Sequence, residues 1–319
     1  MSLTREQRTE RALFRGASLT LDNPEYRDSV RTFVEALLRA DLGSRDLTVA
    51  ALGMRRGQTK VAILTREGGV VAGLAELAFL FQAHGIAVAF EKHDGEVIRP
   101  GDVLLRAEGD QTQLLALERV GLNLIQRMSG IATAIRCLQE RARRHCPATR
   151  IVGTRKTPWG PLDKRALHLG NGGTHRLGLG DAIVVKNNHL ALLASREEDA
   201  APIAIERAWP FRGDSAFIEI EVRGEDAARA AADAFRRMQG DAAREYPCLL
   251  MLDNMTPDRI GAILDTLRRE ELWDRVLIEA SGGISESNVE AYAARGVDAI
   301  SIGALTHSAR ALDICQRIS

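Results

Sequence analysis

The sequence CLLMLDNMTPDRIGAILDTLRREELWDRVLIEASGG occupies residues 248–283 and contains two short apolar runs on either side of a helical pattern. The first run, Cys248–Asp253, predicts a buried strand, and turn residues lead from it into an amphipathic helix at Pro257–Arg269. The second run, Val276–Ala280, predicts another strand, which ends on Ser281-Gly282-Gly283. A strand, a helix and a strand in this order predict a βαβ unit with two parallel strands.

The same pattern continues on both sides of this unit, from Arg150 onward. Further strands are predicted at Arg150–Thr154, Ala182–Lys186, Phe217–Val222 and Ala299–Ile302, and further helices at Glu225–Gln239 and Glu286–Arg295. No GxGxxG opens a helix after the first strand, which disfavours a doubly wound sheet. We therefore predict an α/β fold, an open (β/α) barrel of about six or seven parallel strands. The stretch Ser195–Arg212, rich in Ala, Glu and Pro, predicts a solvated helix-and-loop insertion.

The residues before the barrel predict a smaller α+β sandwich domain. Its first helix is expected at Tyr26–Arg39, and its strands at Lys60–Thr65, Val70–Ala72, Ala87–Glu91 and Val103–Glu108. An amphipathic stretch, Gln113–Gln126, then leads through Ser129-Gly130 into a second helix at Ala132–His145. We place the N-terminal domain at residues 1–125 and the barrel domain at 126–307. A C-terminal helix at 308–319 is expected to join the N-terminal domain.

Charge and cysteine content exclude several classes of protein. Lys plus Arg equals Asp plus Glu at 43 each, so the chain lacks the positive charge of a general nucleic-acid binder. The four cysteines show no CxxC spacing, which argues against a zinc site or a disulfide framework and indicates a reducing compartment. No window approaches the roughly 18 to 20 consecutive apolar residues of a membrane span. We therefore predict a cytoplasmic protein.

Basic residues follow the first two predicted barrel strands, where function collects in such folds. Arg155 and Lys156 follow the first strand, and Lys186 ends the second. Between these strands, His175 and Arg176 follow a glycine-rich run that lets the backbone approach a ligand closely. Arginine grips a carboxylate or phosphate with two hydrogen bonds, so these residues predict an anion site. Each group taken alone also fits a solvated surface loop or strand end.

Carboxylates close two of the later strands. Glu221 and Asp253 end apolar runs, where carboxylates commonly hold a divalent metal or hydrogen-bond sugar hydroxyls. Glu219 and Glu221 share one face of their strand, so at least one could be an ordinary salt-bridge partner. For Asp253-Asn254 the alternative is helix capping ahead of the following proline.

Small residues follow the last two strands. Ser281-Gly282-Gly283 precedes a predicted helix at about residue 286, and Gly303-Ala304 precedes another at Leu305–Ile314, with His307 just beyond the loop. Small residues before a helix leave backbone N–H groups free to bind an anion, which predicts a phosphate site at these loops. Two tight turns with simple capping are the alternative.

Motifs along most of the chain resemble those of the quinolinate phosphoribosyltransferase family, the carboxylating nicotinate-nucleotide diphosphorylases. In the family's order they are GSRDLT at 43–48, ER at 118–119, LN at 122–123, SGIAT at 129–133, TRKT at 154–157, THRLGL at 174–179, Lys186 with Asn188-His189, IEIEV at 218–222, LDNM at 252–255, EASGGI at 279–284 and SIGALTHS at 301–308.

The resemblance implies transfer of the phosphoribosyl group of phosphoribosyl pyrophosphate (PRPP) to quinolinate. Decarboxylation then gives nicotinate mononucleotide, pyrophosphate and CO2 for NAD biosynthesis. The resemblance also implies Mg2+ bound with PRPP and no organic cofactor. The charge balance and the lack of a long apolar run predict no nucleic-acid or membrane partner. The expected assembly is a homodimer, or a larger assembly of dimers, with shared active sites.

The resemblance further implies roles for individual residues. The quinolinate site would comprise Arg119, Arg155, His175, Arg176 and Lys186, with Arg119 reaching into the partner subunit's site. PRPP and its phosphate would be bound by Lys156, Glu221, Asp253, Ser281, Gly282, Gly303 and His307. Catalytic roles would fall to Lys156, Lys186, Glu221 and Asp253, and the last two would hold Mg2+.

Gly173 departs from the family's pattern, which has a histidine at this point and a longer connection from TRKT. The alternatives are therefore a related phosphoribosyltransferase for a different aromatic acid, or a non-catalytic ligand-binding relative. A binding protein has no evident need for Glu221 and Asp253 at a metal-assisted sugar site, which argues against the second alternative.

Overall fold

The computed structural model of the chain describes residues 3–240 and 245–318. Its α-helices are α1 (Arg5–Leu13), α2 (Pro24–Leu42), α3 (Leu47–Ala51), α4 (Leu74–Ala83), α5 (Gln111–His145), α6 (Pro161–Leu169), α7 (Asn187–Ala191), α8 (Glu197–Ala208), α9 (Glu225–Gln239), α10 (Pro257–Arg269), α11 (Val289–Ala293) and α12 (Ala304–His307). Its strands are β1 (Gln58–Thr65), β2 (Gly69–Val70), β3 (Ala87–Phe90), β4 (Val97–Ile98), β5 (Val103–Asp110), β6 (Arg150–Val152), β7 (Ile183–Val185), β8 (Ile218–Val222), β9 (Cys248–Asp253), β10 (Leu277–Ser281), β11 (Ala299–Ser301) and β12 (Ile314–Ile318).

The described chain forms two compact units. The described residues of 1–15, 137–156 and 172–304 form the barrel unit, and those of 16–136, 157–171 and 305–319 form the sandwich unit. The boundary expected between residues 125 and 126 falls inside α5, which is one continuous helix rather than two. Position 130 of α5 requires glycine, because a Cβ there would lie 1.8 Å from the Arg310 carbonyl oxygen. None of the helices seen in the described ranges is long and apolar enough to span a membrane.

The barrel unit is built on six parallel strands in the order β6-β11-β10-β9-β8-β7. Side chains from or beside every strand meet in one buried cluster with Ala12 and Leu13 of α1: Val152, Val184, Phe217, Leu249, Leu277 and Ala299. A sheet whose strands all face one interior cluster is curled on itself, and β6 and β7 are its two edges. The open barrel predicted from the strand pattern is therefore confirmed, with six strands.

The N-terminal helix α1 is part of the barrel unit, not of the sandwich. Arg5 forms a two-pronged pair with Asp298, with both N···O distances at 2.6 Å. The buried Arg150 of β6 pairs with Glu6 and Glu10 on the same helix. Burying an arginine is costly unless it is paired, so these contacts hold α1 across the interior cluster that Ala12 and Leu13 complete.

The predicted solvated insertion at Ser195–Arg212 is wrong. Residues 197–208 form α8, which buries Ala200, Ala201, Ala204 and Ile205 and packs against α9. Alanines at helical spacing form a narrow apolar stripe, and their small size lets α8 lie close to the equally alanine-rich face of α9. Alanine occurs both on solvated and on closely packed helix faces, so its content alone does not indicate exposure.

The sandwich unit contains an antiparallel sheet in the order β12-β1-β5-β3 and a two-stranded sheet of β2 and β4. Val61 of β1 lies opposite Ala107 of β5 on one side and Ile318 of β12 on the other. Helix α4 contributes buried Leu77, Leu80 and Phe81 to the core of this unit.

The C-terminal helix expected at 308–319 is wrong. The helix predicted at Leu305–Ile314 ends at His307, and residues 314–318 form β12, which pairs antiparallel with β1 from Thr65 to Val61. Strand β12 satisfies the backbone groups along that edge of β1, which a helix would leave unpaired. The apolar spacing near the C-terminus is too short to distinguish a helix from a strand, and pairing with β1 selects the strand.

Candidate active site

A cavity of about 400 Å³ lies in the barrel unit at the carboxyl ends of the strands. Parallel strands bring their carboxyl ends to one edge, so residues distant in sequence meet there. The lining contains the following residues predicted from the sequence: Arg155, Lys156, His175, Arg176, Lys186, Glu221, Asp253, Ser281 and Gly282. It also contains Glu279, Met251 and Ser301, to which sequence reasoning assigned no role.

Four cationic side chains converge on this cavity. Arg155 and Lys156 follow β6 and are exposed, and Lys186 follows β7 with its Nζ 3.0 Å from Glu221 Oε2. Arg176 is buried, and its Nη1 donates to the Ala182 carbonyl at 3.1 Å. Burial, together with the nearby charge of Arg155, lowers the pKa of Arg176. Four positive charges around one cavity favour a ligand that carries several negative charges.

Two carboxylates line the same cavity, and one of them, Glu221, pairs with Lys186. Glu221 lies at the end of β8 and Asp253 at the end of β9, and the two strands are neighbours in the sheet. Burial and the charge of Glu221 raise the pKa of Asp253. A hydrogen bond from Asn254 Nδ2 at 2.8 Å opposes this rise. A cation between two such oxygens would relieve their repulsion. Hard oxygen ligands of this kind, completed by phosphate oxygens and water, fit Mg2+.

The small-residue loop after β10 forms another wall. Gly282 has φ of 88°, and a side chain there would lie 2.3 Å from Asn254 Oδ1, so both conformation and space require glycine. Ser281 Oγ accepts a hydrogen bond from Ser301 Oγ at 2.9 Å. The following helix, α11, starts only at Val289, so the loop itself and not a helix N-terminus borders the cavity.

Three predicted residues are not brought to this lining. Gly303 belongs to the barrel unit but is absent from the lining formed by the described residues. His307 and Arg119 belong to the sandwich unit, where Arg119 is exposed on α5 and His307 Nδ1 lies 2.7 Å from Ser308 Oγ. Their roles stay predictions.

A buried acidic pair lies beside His175. Its Nε2 is 3.1 Å from Glu219 Oε2 and 3.3 Å from Glu279 Oε2, and all three residues are buried. Burial and the charge of Glu279 raise the pKa of Glu219 to about 7. Sequence reasoning missed Glu279, although a carboxylate inside the apolar run of β10 is the signal that could have shown it.

His175, Glu219 and Glu279 also have the residue types of a metal centre. However, burial lowers the pKa of His175 while the charges of Glu279 and Glu219 raise it, and the net result is a pKa of about 9. The ring is therefore protonated at neutral pH, and a protonated imidazole has no lone pair to offer a metal.

Gly173 lies outside the cavity lining that the described residues form. It exchanges backbone hydrogen bonds with the β6 region, donating to Ile151 and accepting from Gly153, each at 2.9 Å. A Cβ at this position would lie 2.5 Å from Val152 Cγ1 and 3.2 Å from the Leu13 carbonyl. A side chain at position 173 would therefore collide with Val152 unless the barrel wall shifted.

Comparison with known proteins agrees with this geometry. The profile described as the quinolinate phosphoribosyl transferase C-terminal domain matches residues 131–316, and that of the N-terminal domain matches residues 46–129. The chain belongs to the quinolinate phosphoribosyltransferase family. The resemblance seen in the sequence motifs is confirmed, and membership in this family places the chain among the pentosyltransferase enzymes.

Individual members of the quinolinate phosphoribosyltransferase family match over most of their length. A protein of Methanothermobacter thermautotrophicus named probable nicotinate-nucleotide pyrophosphorylase (carboxylating) is 37% identical over 287 residues, 89% of this chain and 97% of that protein. One of the same name from Archaeoglobus fulgidus is 38% identical over 261 residues, 81% of this chain and 94% of that protein. The crystal structure of NadC from Streptococcus pyogenes superposes with a TM-score of 0.77 at 30% identity, covering 91% of this chain and 96% of its own.

Proposed function

We propose that this chain transfers the phosphoribosyl group of PRPP to quinolinate, releasing pyrophosphate and CO2 and forming nicotinate mononucleotide. The observation that carries the proposal is the joint presence, in one cavity, of four cations and two carboxylates at strand ends. A dicarboxylate and PRPP are both polyanions, and a chain of zero net charge needs a dense local positive field to bring them together.

The cationic side of the cavity would bind quinolinate. Arg155 and Arg176 offer planar forks for its carboxylates, Lys186 adds a third charge, and Lys156 is shared with the pyrophosphate. We also propose that Arg119 enters from a partner subunit, so that the working form is a homodimer or an assembly of dimers. The exposure of Arg119 on α5 is compatible with this role.

The carboxylate side would bind PRPP. Glu221 and Asp253 would hold the ribose hydroxyls and Mg2+, which supplies charge neutralisation at the pyrophosphate oxygens. The loop at Ser281 and Gly282 would receive the 5′-phosphate through backbone N–H groups, with Gly303 and His307 as further candidates.

The reaction then needs positioning and charge stabilisation more than a protein nucleophile. The bond from the ribose C1 to pyrophosphate breaks as the ring nitrogen of quinolinate forms the new bond to C1. The pyridinium produced accepts the electron pair left when the adjacent carboxylate departs as CO2, and a proton replaces that carboxylate on the ring. No organic cofactor is required for either step.

The test is to incubate the purified chain with quinolinate, PRPP and Mg2+ and to measure nicotinate mononucleotide and CO2. We expect turnover with quinolinate, none without PRPP, and a large loss in Asp253→Ala. The control is Asp214→Ala, an exposed aspartate outside the cavity lining of the described chain, which should keep full activity. Turnover with nicotinate in place of quinolinate, or with neither acid, would overturn the proposal.

A further inference from the structure

Residues 174–182 form the loop that carries Arg176 to the cavity, and the middle of this loop has little packing of its own. A Cβ added at Gly178 or at Gly180 would meet nothing within 4 Å, and Leu179 between them is 73% exposed. Apolar contacts therefore do not hold this part of the loop in place. Its conformation depends on hydrogen bonds and ion pairs at the two ends of the loop.

Asp181 provides such contacts at the end of the loop nearest β7. Its Oδ2 accepts the backbone N–H of Leu177 at 2.8 Å, and its Oδ1 lies 3.1 Å from Arg15 Nη2 and 3.3 Å from Arg15 Nε. The Asp181 carbonyl accepts the N–H of Ala216 at 3.0 Å, so the backbone of this residue is fixed as well. The Asp181 side chain is only 16% exposed, and solvent ions screen these contacts less than they would on an open surface.

Arg15 joins the two ends of the same loop. Its guanidinium pairs with Asp181 at one end, and its backbone N–H donates to Thr174 Oγ1 at 2.9 Å at the other. Arg15 follows α1, which is held in the barrel unit by ion pairs of its own. The loop is therefore closed by one arginine at the end of a fixed helix.

The contacts at Asp181 and at the next residue bracket Arg176. The Leu177 N–H that Asp181 accepts belongs to the peptide group directly after Arg176, and the Arg176 guanidinium donates to the Ala182 carbonyl at 3.1 Å. Arg176 is buried and lines the cavity. An arginine fork binds a carboxylate strongly only when its plane is held in the right direction, so restraining it before the ligand arrives favours binding.

We propose that Asp181 is a positioning residue for the bound dicarboxylate, and that it acts by holding the backbone beside Arg176. Asp181 is not among the described residues that line the cavity, so it acts through Arg176 and not on the ligand. Arg15 belongs to the same positioning unit, because it orients the Asp181 carboxylate. This inference rests on the proposed function, since the dicarboxylate is taken to be quinolinate.

Two variants of Asp181 and one matched control test this role. Asp181→Ala removes the acceptor for the Leu177 N–H, whereas Asp181→Asn keeps an oxygen acceptor and loses only the charge. The control is Asp298→Ala. Asp298 likewise pairs with an arginine, Arg5, and accepts a backbone N–H, that of Ile278 at 2.7 Å, but it precedes β11 at the end of the sheet opposite the cavity. Calorimetry gives the quinolinate affinity, steady-state kinetics the KM for PRPP at saturating quinolinate, and thermal unfolding the stability.

We expect Asp181→Ala to weaken quinolinate binding about tenfold, the effect of one lost hydrogen bond that fixes the fork. Asp181→Asn and Asp298→Ala should stay within about threefold of the unchanged chain, and so should the KM for PRPP in Asp181→Ala. Unchanged quinolinate affinity in Asp181→Ala, an equal loss in Asp181→Asn, or an equal rise in the KM for PRPP would overturn the positioning role. No binding of quinolinate by the unchanged chain would instead overturn the proposed function.

Amide hydrogen exchange in the unchanged chain tests the hydrogen bond itself, whether or not Asp181→Ala folds. The exposed Leu179 of the same loop is the reference. We expect the Leu177 N–H to exchange at least about tenfold more slowly than that of Leu179, after correction for the intrinsic rate of each residue. Equal corrected rates would overturn the inference, because Asp181 would then not hold the backbone beside Arg176.

Discussion

Position 173 lies against the barrel wall, where a Cβ would come within 2.5 Å of Val152 Cγ1. The histidine that the family's pattern leads one to expect here could not simply be added to this backbone. The departure at Gly173 therefore changes packing near β6, and it takes no side chain away from the cavity lining that the described residues form. The case for a different aromatic acid, which rested on this residue, is weakened accordingly.

Gly173→Ala is expected to destabilise the chain by about 1–3 kcal/mol, because overpacking forces the wall of the barrel to shift. Gly178→Ala is the matched control, since nothing lies within 4 Å of a Cβ at that position, and its effect should stay within about 0.5 kcal/mol. Urea unfolding measures both. Equal stability of the two variants would contradict the steric account.

Arg155 is an exposed side chain in the cavity lining, so its removal should affect binding and not folding. Arg155→Ala is expected to weaken quinolinate binding by at least about tenfold, because a charge-assisted pair with a carboxylate is lost. Calorimetry gives the affinity and thermal unfolding the stability. The comparison variant is Arg229→Ala, a half-exposed arginine of α9 that is absent from the same lining. An unchanged affinity in Arg155→Ala would remove this residue from the site.

At the scale of elements, the packing of α2 on α4 includes a buried acid. Tyr26 of α2 donates to Glu76 Oε1 of α4 at 2.8 Å, and both side chains are buried. Burial raises the pKa of Glu76, and the Tyr26 hydrogen bond opposes that rise. Glu76 therefore makes the fold less stable as pH rises above the unfolded glutamate pKa of about 4.3, because its ionised form is the costly one when buried.

Tyr26→Phe is expected to lower the free energy of unfolding by about 1–3 kcal/mol at pH near 8 and by less at pH near 5. The sign follows because the lost hydrogen bond stabilises the ionised form, which is populated more at the higher pH. Tyr246→Phe is the control, since the Tyr246 hydroxyl donates to the neutral Ser215 carbonyl and its loss has no such link to an acid. Equal pH dependence of the two variants would contradict the assignment.

At the scale of the whole molecule, the proposed sharing of active sites between subunits can be tested by complementation. Arg119→Ala and Asp253→Ala should each be inactive alone. If Arg119 serves the partner's site, mixed dimers contain one site with both residues intact, and activity should return after the two variants are unfolded and refolded together. Arg155→Ala mixed with Asp253→Ala should show no more activity than the two variants measured separately, because these two residues line one cavity within one barrel unit. No recovery in the first mixture would contradict the shared site.

Short-range pattern in the sequence was sufficient for the strands of the barrel and for most of the cavity lining. Apolar runs such as Cys248–Asp253 are buried on both faces of a parallel sheet, so their hydrophobicity alone marks them. Because parallel strands end at one edge, residues such as Lys186, Glu221 and Asp253 could be grouped in advance without knowledge of their distances. Arg155 and Arg176 joined the same group through their positions after the first strand and a glycine-rich run, and the family motifs then assigned them to quinolinate.

Contacts between distant segments decided the rest. Residues 314–318 form a strand only because β1 offers an unpaired edge, and α8 is buried only because α9 presents a matching alanine face. The contact of His175 with Glu219 and Glu279 joins three segments whose spacing along the chain carries no sign of it. Local sequence determines which side chains a segment carries and at what spacing. Pairing and packing energies determine which segments meet, and those energies arise only when distant segments come into contact.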